Sequence, residues 1–362
     1  MQMIAPILPR LVSDTGLTYA NSGILMSLFT LPGIFLALPG GWISDSLGPR
    51  RVGIASLFLM GIGSLLMSLI LPAFLYTGRF CSGIGAGVFV VVAPQVIARE
   101  FPSDQLGLAM GIFNTAVPVG SILAFNGLGF LSGRYGLVVP IVATGWFSLA
   151  AFAAFYLLYP EPHRSNDTPR GNTRLSGNLG TGIWLVSVVW TLFNIGLLAY
   201  FTFSIDHLTA CGISSSTARF LGSLPMILSI FFAPVAGLII HRFGLRWSLA
   251  VIGCAVSGLS VWLLYFSAGG HPVLWSVVLG AGISLVAPPV FTIAGQVVSP
   301  GRLGTGYGIM NTLFNVGVFA GIPLVGKVRD MTGDYRLSFA LMAAFLVAGS
   351  ALSLVSARML SE

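Results

Sequence analysis

The sequence predicts an all-α membrane protein built as two related helical bundles. Three observations predict it. The first is a duplication. Gly41, Gly48 and Arg50 recur as Gly237, Gly244 and Arg246, and Leu25, Ser27 and Leu28 as Leu221, Ser223 and Leu224, each 196 residues later. At an offset of 197, Leu106-Gly107, Gly111-Ile112, Asn114-Thr115 and Val119-Gly120 return as Leu303-Gly304, Gly308-Ile309, Asn311-Thr312 and Val316-Gly317. The second is composition. The chain is 56% apolar and only 7% charged, against roughly 25% charged in a soluble domain. The third is run length. Apolar stretches of about 20 to 25 residues match the thickness of a bilayer. Paired homologous bundles with a site between them are the usual build of secondary transporters.

The elements follow in order. Met1 to Val12 is apolar but short, and it holds Pro6, Pro9 and Arg10. Its counterpart in the second half begins near Ile183, so the repeat places about half of this first helix before Met1. A truncated or mis-started first helix is the expectation, with a genuine short helix propped against its neighbours as the alternative. A signal peptide is not expected, because this stretch shows no basic n-region or small-residue cleavage site. Spans over 21–43, 50–70, 72–98, 106–131 and 135–159 complete a first bundle, residues 1–160. Residues 161–181 are polar and read as a flexible linker. Spans over 182–209, 214–240, 246–267, 271–298, 304–328 and 335–358 form a second bundle, residues 182–362. Pro94, Pro118, Pro225, Pro288 and Pro289 are expected to kink their helices. The 46 glycines are at home in membrane helices, where small residues let backbones approach.

Charge sets orientation. The linker carries Arg164, Arg170 and Arg174. With simple alternation of the spans, Arg50, Arg51, Arg99, Arg242, Arg246, Arg302 and Arg358 fall on the same side. That side is cytoplasmic by the positive-inside rule, and so are the linker and the C-terminus. The expected location is the inner (plasma) membrane. The net charge of +7 therefore reflects topology and not nucleic-acid binding. Cys81, Cys211 and Cys254 share no metal-like spacing and suggest no disulfide framework.

Gly41, Asp45, Gly48, Arg50 and Arg51 match the pattern G-x-x-x-D-x-x-G-x-[RK]-[RK], with Ser46 and Pro49 as departures. Arg79 followed by Gly83, Gly85 and Gly87 gives an arginine with spaced glycines. In both motifs, and over its whole length, the chain resembles the major facilitator superfamily. The resemblance implies twelve helices, six plus six, and alternating access around a central cavity lined by helices 1, 4, 7 and 10. Gly41 then permits close helix approach, and Gly48 a tight turn. Asp45 can sit at the N-terminus of the helix opening near Leu303-Gly304, where its charge meets unpaired N–H groups. Arg50, Arg51 and Glu100 are candidates for an ionic latch around it. His241 replaces the aspartate in the second half, so the latch should be asymmetric. The bland reading is a turn with topology-setting arginines.

Charges inside spans are costly and mark function by default. Arg79 lies about two turns into its span, and Arg219, Asp206 and His207 lie near the outer ends of theirs. Arg79 is the leading anion ligand, because its planar fork suits carboxylates and oxyanions. Arg219, Asp206 and Tyr200 are further candidates, against a reading as an outer ion pair and snorkelling arginines. Asn114 and Asn311 are matched by the repeat and suit a substrate cradle or interhelical hydrogen bonds.

The function read from these features is secondary active transport of a small anionic solute. No Asp or Glu lies deep in any span, which counts against export of cationic drugs. A G-P-x-x-G-G-type antiporter motif survives only as Pro118, Gly120 and Ser121. Proton-coupled drug or cation efflux is nevertheless the alternative. No H-E-x-x-H, G-x-G-D or G-x-S-x-G constellation suggests an enzyme, and no cofactor or metal is expected. The expected partners are a small-molecule substrate, a coupling proton or counter-anion, and the lipid bilayer, with the chain acting as a monomer.

Overall fold

The computed structural model describes residues 3–16, 19–159, 180–266 and 271–360. Nearly all of the expected 161–181 linker lies outside the described residues. The described chain forms fifteen α-helices and no strand. They are α1 (Ile4–Thr15), α2 (Tyr19–Leu47), α3 (Pro49–Leu66), α4 (Pro72–Glu100) and α5 (Leu106–Asn114). Then come α6 (Ala116–Leu123), α7 (Gly129–Tyr135), α8 (Val138–Leu158), α9 (Thr181–Ala210) and α10 (Ser215–Phe243). The last are α11 (Arg246–Phe266), α12 (Pro272–Ser284), α13 (Ala287–Val297), α14 (Leu303–Thr332) and α15 (Arg336–Leu360).

Two interrupted rods account for the excess over twelve. Helices α5, α6 and α7 are one rod broken at Thr115 and again by a π-helical segment, Ala124–Leu128. Pro118 cannot donate to the carbonyl of Asn114, and its ring crowds that carbonyl. Helices α12 and α13 are parted at Leu285 and Val286, because Pro288 and Pro289 withhold the donors that Ser284 and Leu285 would receive. The breaks expected at Pro118, Pro288 and Pro289 are thus present. Pro94 and Pro225 sit inside the unbroken helices α4 and α10. Short turns join several rods. Gly48 (φ 92°) precedes α3 and Gly244 (φ 68°) follows α10, both in backbone conformations that favour glycine.

Ten helical stretches of the described residues are long and apolar enough to cross a membrane. Large apolar side chains point outward: Leu158 is 81% exposed and Phe147 75%. Such a surface needs lipid around it, and with the spans it makes the chain a multi-pass membrane protein.

The chain divides into two compact units that interleave its sequence halves. Residues 1–96, 119–178 and 299–312 form one; residues 97–118, 179–298 and 313–362 form the other. Each unit thus includes a strip from the other half, and the strips are related by the duplication. In the first unit, α3 packs along α8 and α1 against α2. Ile4, Ile7 and Leu11 recur at helical spacing and are wholly buried with Leu25, Met67, Leu75 and Ile141. Glycines bring α3 and α4 together. A Cβ on Gly85 would collide with the carbonyl of Ser56, and one on Gly63 would lie 2.6 Å from the Gly78 carbonyl. In the second unit, α15 packs on α9 and α11, and α12 on α10 and α11. Trp190, Phe291 and Phe113 form an edge-to-face cluster, with centroids 5.1 and 6.3 Å apart.

Gly85→Val should therefore lower the thermal midpoint of the solubilised protein, corresponding to about 1–3 kcal/mol of overpacking. Gly120→Ala, where an added Cβ meets open space, should leave that midpoint nearly unchanged. Equal midpoints for the two variants would refute the close-packed α3–α4 crossing.

Candidate functional site

The duplicated residues build two matching crossings of small residues. In the first unit, α2 meets the first turns of α14. A Cβ on Gly41 would strike the carbonyl of Gly304, a Cβ on Gly304 would strike that of Gly41, and a Cβ on Gly308 would lie 2.8 Å from the carbonyl of Ala37. In the second unit, α10 meets α5 in the same way. Added Cβ atoms on Gly237 and Gly111 would lie 2.6 and 2.8 Å from the carbonyls of Gly107 and Ala233. Spacing of small residues by four brings backbones together along one face of each helix.

On this close approach rests a polar cage around Asp45. Its Oδ1 accepts from the Gly304 backbone N–H at 2.8 Å, and its Oδ2 from the Thr305 N–H and hydroxyl at 2.7 Å each. Gln95 Nε2 donates to Oδ1 at 2.9 Å, and Gln95 Oε1 accepts from the Ser44 hydroxyl at 2.5 Å. The carboxylate therefore sits at the unpaired N–H groups and positive dipole end of α14, as charge and dipole favour. Such a placement contributes about 0.3–2 kcal/mol. Gln95 is fully buried on α4. Neither Gln95 nor Thr305 is among the candidates that the sequence singles out. The signal available was Ser44, Gln95 and Asp45 as the polar residues nearest the inner ends of two adjacent spans.

The second crossing carries different chemistry. His241 Nδ1 is paired with the carbonyl of Asp104, just before α5. Arg246 donates to Gln296, near the end of α13. A carboxylate facing N–H donors in one unit is thus matched by an imidazole facing a carbonyl in the other. Arg50 donates to the carbonyls of Tyr159 (2.5 Å) and Tyr156 (2.9 Å) at the end of α8, with its guanidinium 5.2 Å from the Tyr156 ring. Arg51 and Glu100 are both exposed. Gly48 supplies the turn between α2 and α3.

Arg79 lies on α4 and is only 2% exposed. Its Nε donates to the Leu25 carbonyl at 3.1 Å, and its guanidinium lies 4.3 Å from the Phe29 ring centroid. Gly83, one turn along, permits this, because a Cβ there would lie 2.6 Å from the carbonyl of Phe29. The arginine's charge is thus met by a carbonyl dipole and an aromatic face.

The other candidates are dispersed. Asn114 and Asn311 each donate to the carbonyl four residues back, Met110 at 2.7 Å and Tyr307 at 3.3 Å. Asn311 is buried and Asn114 half-buried. Arg219 is exposed on α10, and Tyr200 is wholly buried on α9. The side chain of Asp206 lies outside the described residues. Among the described residues, the buried polar and charged side chains include Arg79 and His207 but no carboxylate. They include no group of three metal-ligating side chains either.

The sequence profile of the Major Facilitator Superfamily matches residues 1–210 and again 179–359. Monocarboxylate transporter 13 of Rattus norvegicus is 28% identical over 339 residues, covering 91% of this chain and 77% of that protein. The lysosomal dipeptide transporter MFSD1 of Danio rerio is 23% identical over 370 residues, covering 95% and 80%. The fold resembles the crystal structure of the human organic anion transporter MFSD10, with a TM-score of 0.78 at 16% identity, over 97% of this chain and 95% of that one.

Asp45→Asn keeps the shape of the cage and removes its charge. In a cysteine-free background, a cysteine replacing Leu38, which packs beside Gly308, should then react several-fold faster with a maleimide. An unchanged rate would deny the carboxylate any part in holding the α2–α14 crossing shut.

Proposed function

The chain belongs to the Major Facilitator Superfamily, and on that premise we propose that it moves a small carboxylate-bearing anion across the membrane by alternating access. The observation that carries the anionic reading is Arg79. It is a cation buried in the first unit, set against the Leu25 carbonyl and the Phe29 ring. A guanidinium bound to a carbonyl on one side is held in a defined plane, and a planar fork is the donor best matched to a carboxylate. Two relatives named above support the class. A monocarboxylate and a dipeptide both present a carboxylate. A cation exporter needs an acidic group for which drug and proton compete, and the described interior offers none.

The proposed cycle uses the two crossings as its inner gate. Asp45, Gln95 and Thr305 hold the start of α14 against α2; His241 and the carbonyl of Asp104 hold α10 against the strip before α5. Opening at this end separates Gly41 from Gly304 and Gly237 from Gly107. It also costs the Asp45 hydrogen bonds, which water must then replace. The arginine bias of the inner loops supports an orientation with the linker and C-terminus in the cytoplasm of a cell bounded by this membrane. Asn114, Asn311 and Arg219 are proposed as further contributors to handling the solute. The chain is proposed to work as a monomer.

Purified protein in liposomes should take up labelled monocarboxylates or dipeptides in preference to organic cations. Arg79→Lys retains the charge without the fork and should cut uptake at least tenfold, and Arg79→Ala should abolish it. Cation flux without anion flux would instead favour proton-coupled efflux.

A further inference from the structure

Buried serines in this protein ordinarily satisfy themselves. Ser187, Ser284 and Ser353 each donate to the carbonyl four residues back, at 2.6, 2.6 and 2.8 Å. Ser204 on α9 and Ser276 on α12 do not. Both are at most 1% exposed, and neither hydroxyl has a hydrogen-bond partner. The Tyr200 hydroxyl, equally buried, is also without a partner. The two serines nevertheless lie close enough to the Tyr200 oxygen to interact with it. An unsatisfied buried hydroxyl costs about 1–3 kcal/mol. Three clustered hydroxyls are the setting that holds buried water, which needs two to four polar partners.

Tyr200, Ser204 and His207 fall at i, i+4 and i+7 on α9 and so share a face. His207 is 5% exposed. Its ring stacks on Tyr265 of α11 at 5.2 Å between centroids and meets Phe339 of α15 at 4.7 Å and Tyr335 at 5.5 Å. Phe339 also packs against Tyr200, so one ring seals both. The Tyr265 backbone lies close to the His207 ring, and a neutral imidazole keeps one nitrogen that can take a proton. The groups facing it can be named by element. Cys211 follows α9, with Sγ 3.9 Å from the ring nitrogens. Tyr265 on α11 donates its hydroxyl to exposed Asp334 at 3.1 Å. Asp334 and Tyr335 precede α15, Arg336 begins it, and Arg329 of α14 lies 5.2 Å from the Tyr335 ring.

We propose that Tyr200, Ser204 and Ser276 hold bound water, and that this water with His207 is the site where the transporter takes up and releases a coupling proton. Asp334, Tyr265 and Cys211 border it on the solvent side. The free imidazole nitrogen accepts a proton from solvent and becomes imidazolium. Its new N–H requires an acceptor and reorders the hydroxyl–water chain. Release returns the proton to water, and no other bond changes. Hydroxyls suit this relay because each both donates and accepts. The inference rests on the transporter reading above, whose coupling ion it names.

The experiment has an arm that needs no substrate. Protein labelled with 15N-histidine and lacking the other three histidines should show His207 ring signals that change reversibly with pH. Hydroxyl-radical footprinting in labelled water should oxidise Tyr200 several-fold more than Tyr307, which is just as buried. A His207 signal that does not respond to pH, or equal labelling of the two tyrosines, overturns the proposal. The second arm uses lactate in liposomes. His207→Gln should keep lactate exchange without a pH gradient at half the wild-type rate or more, yet lose acceleration by an imposed gradient. Gradient-driven uptake that survives in His207→Gln also overturns it. Wild type that moves no lactate would count against the carboxylate reading and leave the titration and footprinting to decide this one.

Discussion

Everything distinctive about this protein depends on backbone meeting backbone without side chains between. Four glycines, Gly41, Gly304, Gly237 and Gly107, sit where an added Cβ would collide with or press upon an opposing carbonyl or side chain. In lipid, helices gain little by hiding apolar surface from water, so close van der Waals approach must supply the attraction. Hydrogen bonds add to that only if helix ends come within reach. The Asp45 side chain is short, and it accepts from donors on α14 and α4. Without the glycine contact beneath it, the carboxylate would face lipid or water.

The two crossings share a scaffold and diverge in their polar groups. Duplication retained the small residues and replaced Asp45 by His241. The backbone partner is reversed with it, from N–H donors to a carbonyl acceptor. An aspartate at a helix start draws on the macrodipole, whereas an imidazole paired with one carbonyl draws mainly on a local bond. The two fastenings therefore differ in what holds them, within a frame that the duplication made alike.

Much of this was legible in the chain. The 196-residue offset identified the very glycines that cross, because close approach tolerates one residue type and so leaves a sharp trace. Asp45 and the opening of α14 were legible for a related reason: a charge near an apolar span must find a partner, and a helix start is a ready one. Pro118, Pro288 and Pro289 announced their breaks, while Pro94 and Pro225 lie in helices that stay continuous, supported by neighbours that only the tertiary fold supplies. Gln95 was invisible as a partner because nothing in its local sequence says which carboxylate lies 50 positions away. Arg79 was conspicuous by charge, yet its contact with the Leu25 carbonyl depends on the tilt of α2 past Gly83. The unpartnered hydroxyls left no trace, since a serine that bonds its own helix and one that does not are spelled alike.

The interleaving of the compact units bears on how the chain is held together. Residues 97–118 belong with the second unit and residues 299–312 with the first. A cut anywhere in the polar stretch between the halves would leave two fragments, each carrying a strip the other lacks. Co-produced fragments would therefore find each other through non-covalent clasps already present at both crossings. Covalent continuity through the linker matters less for keeping the halves together than for delivering them to the same membrane at the same time.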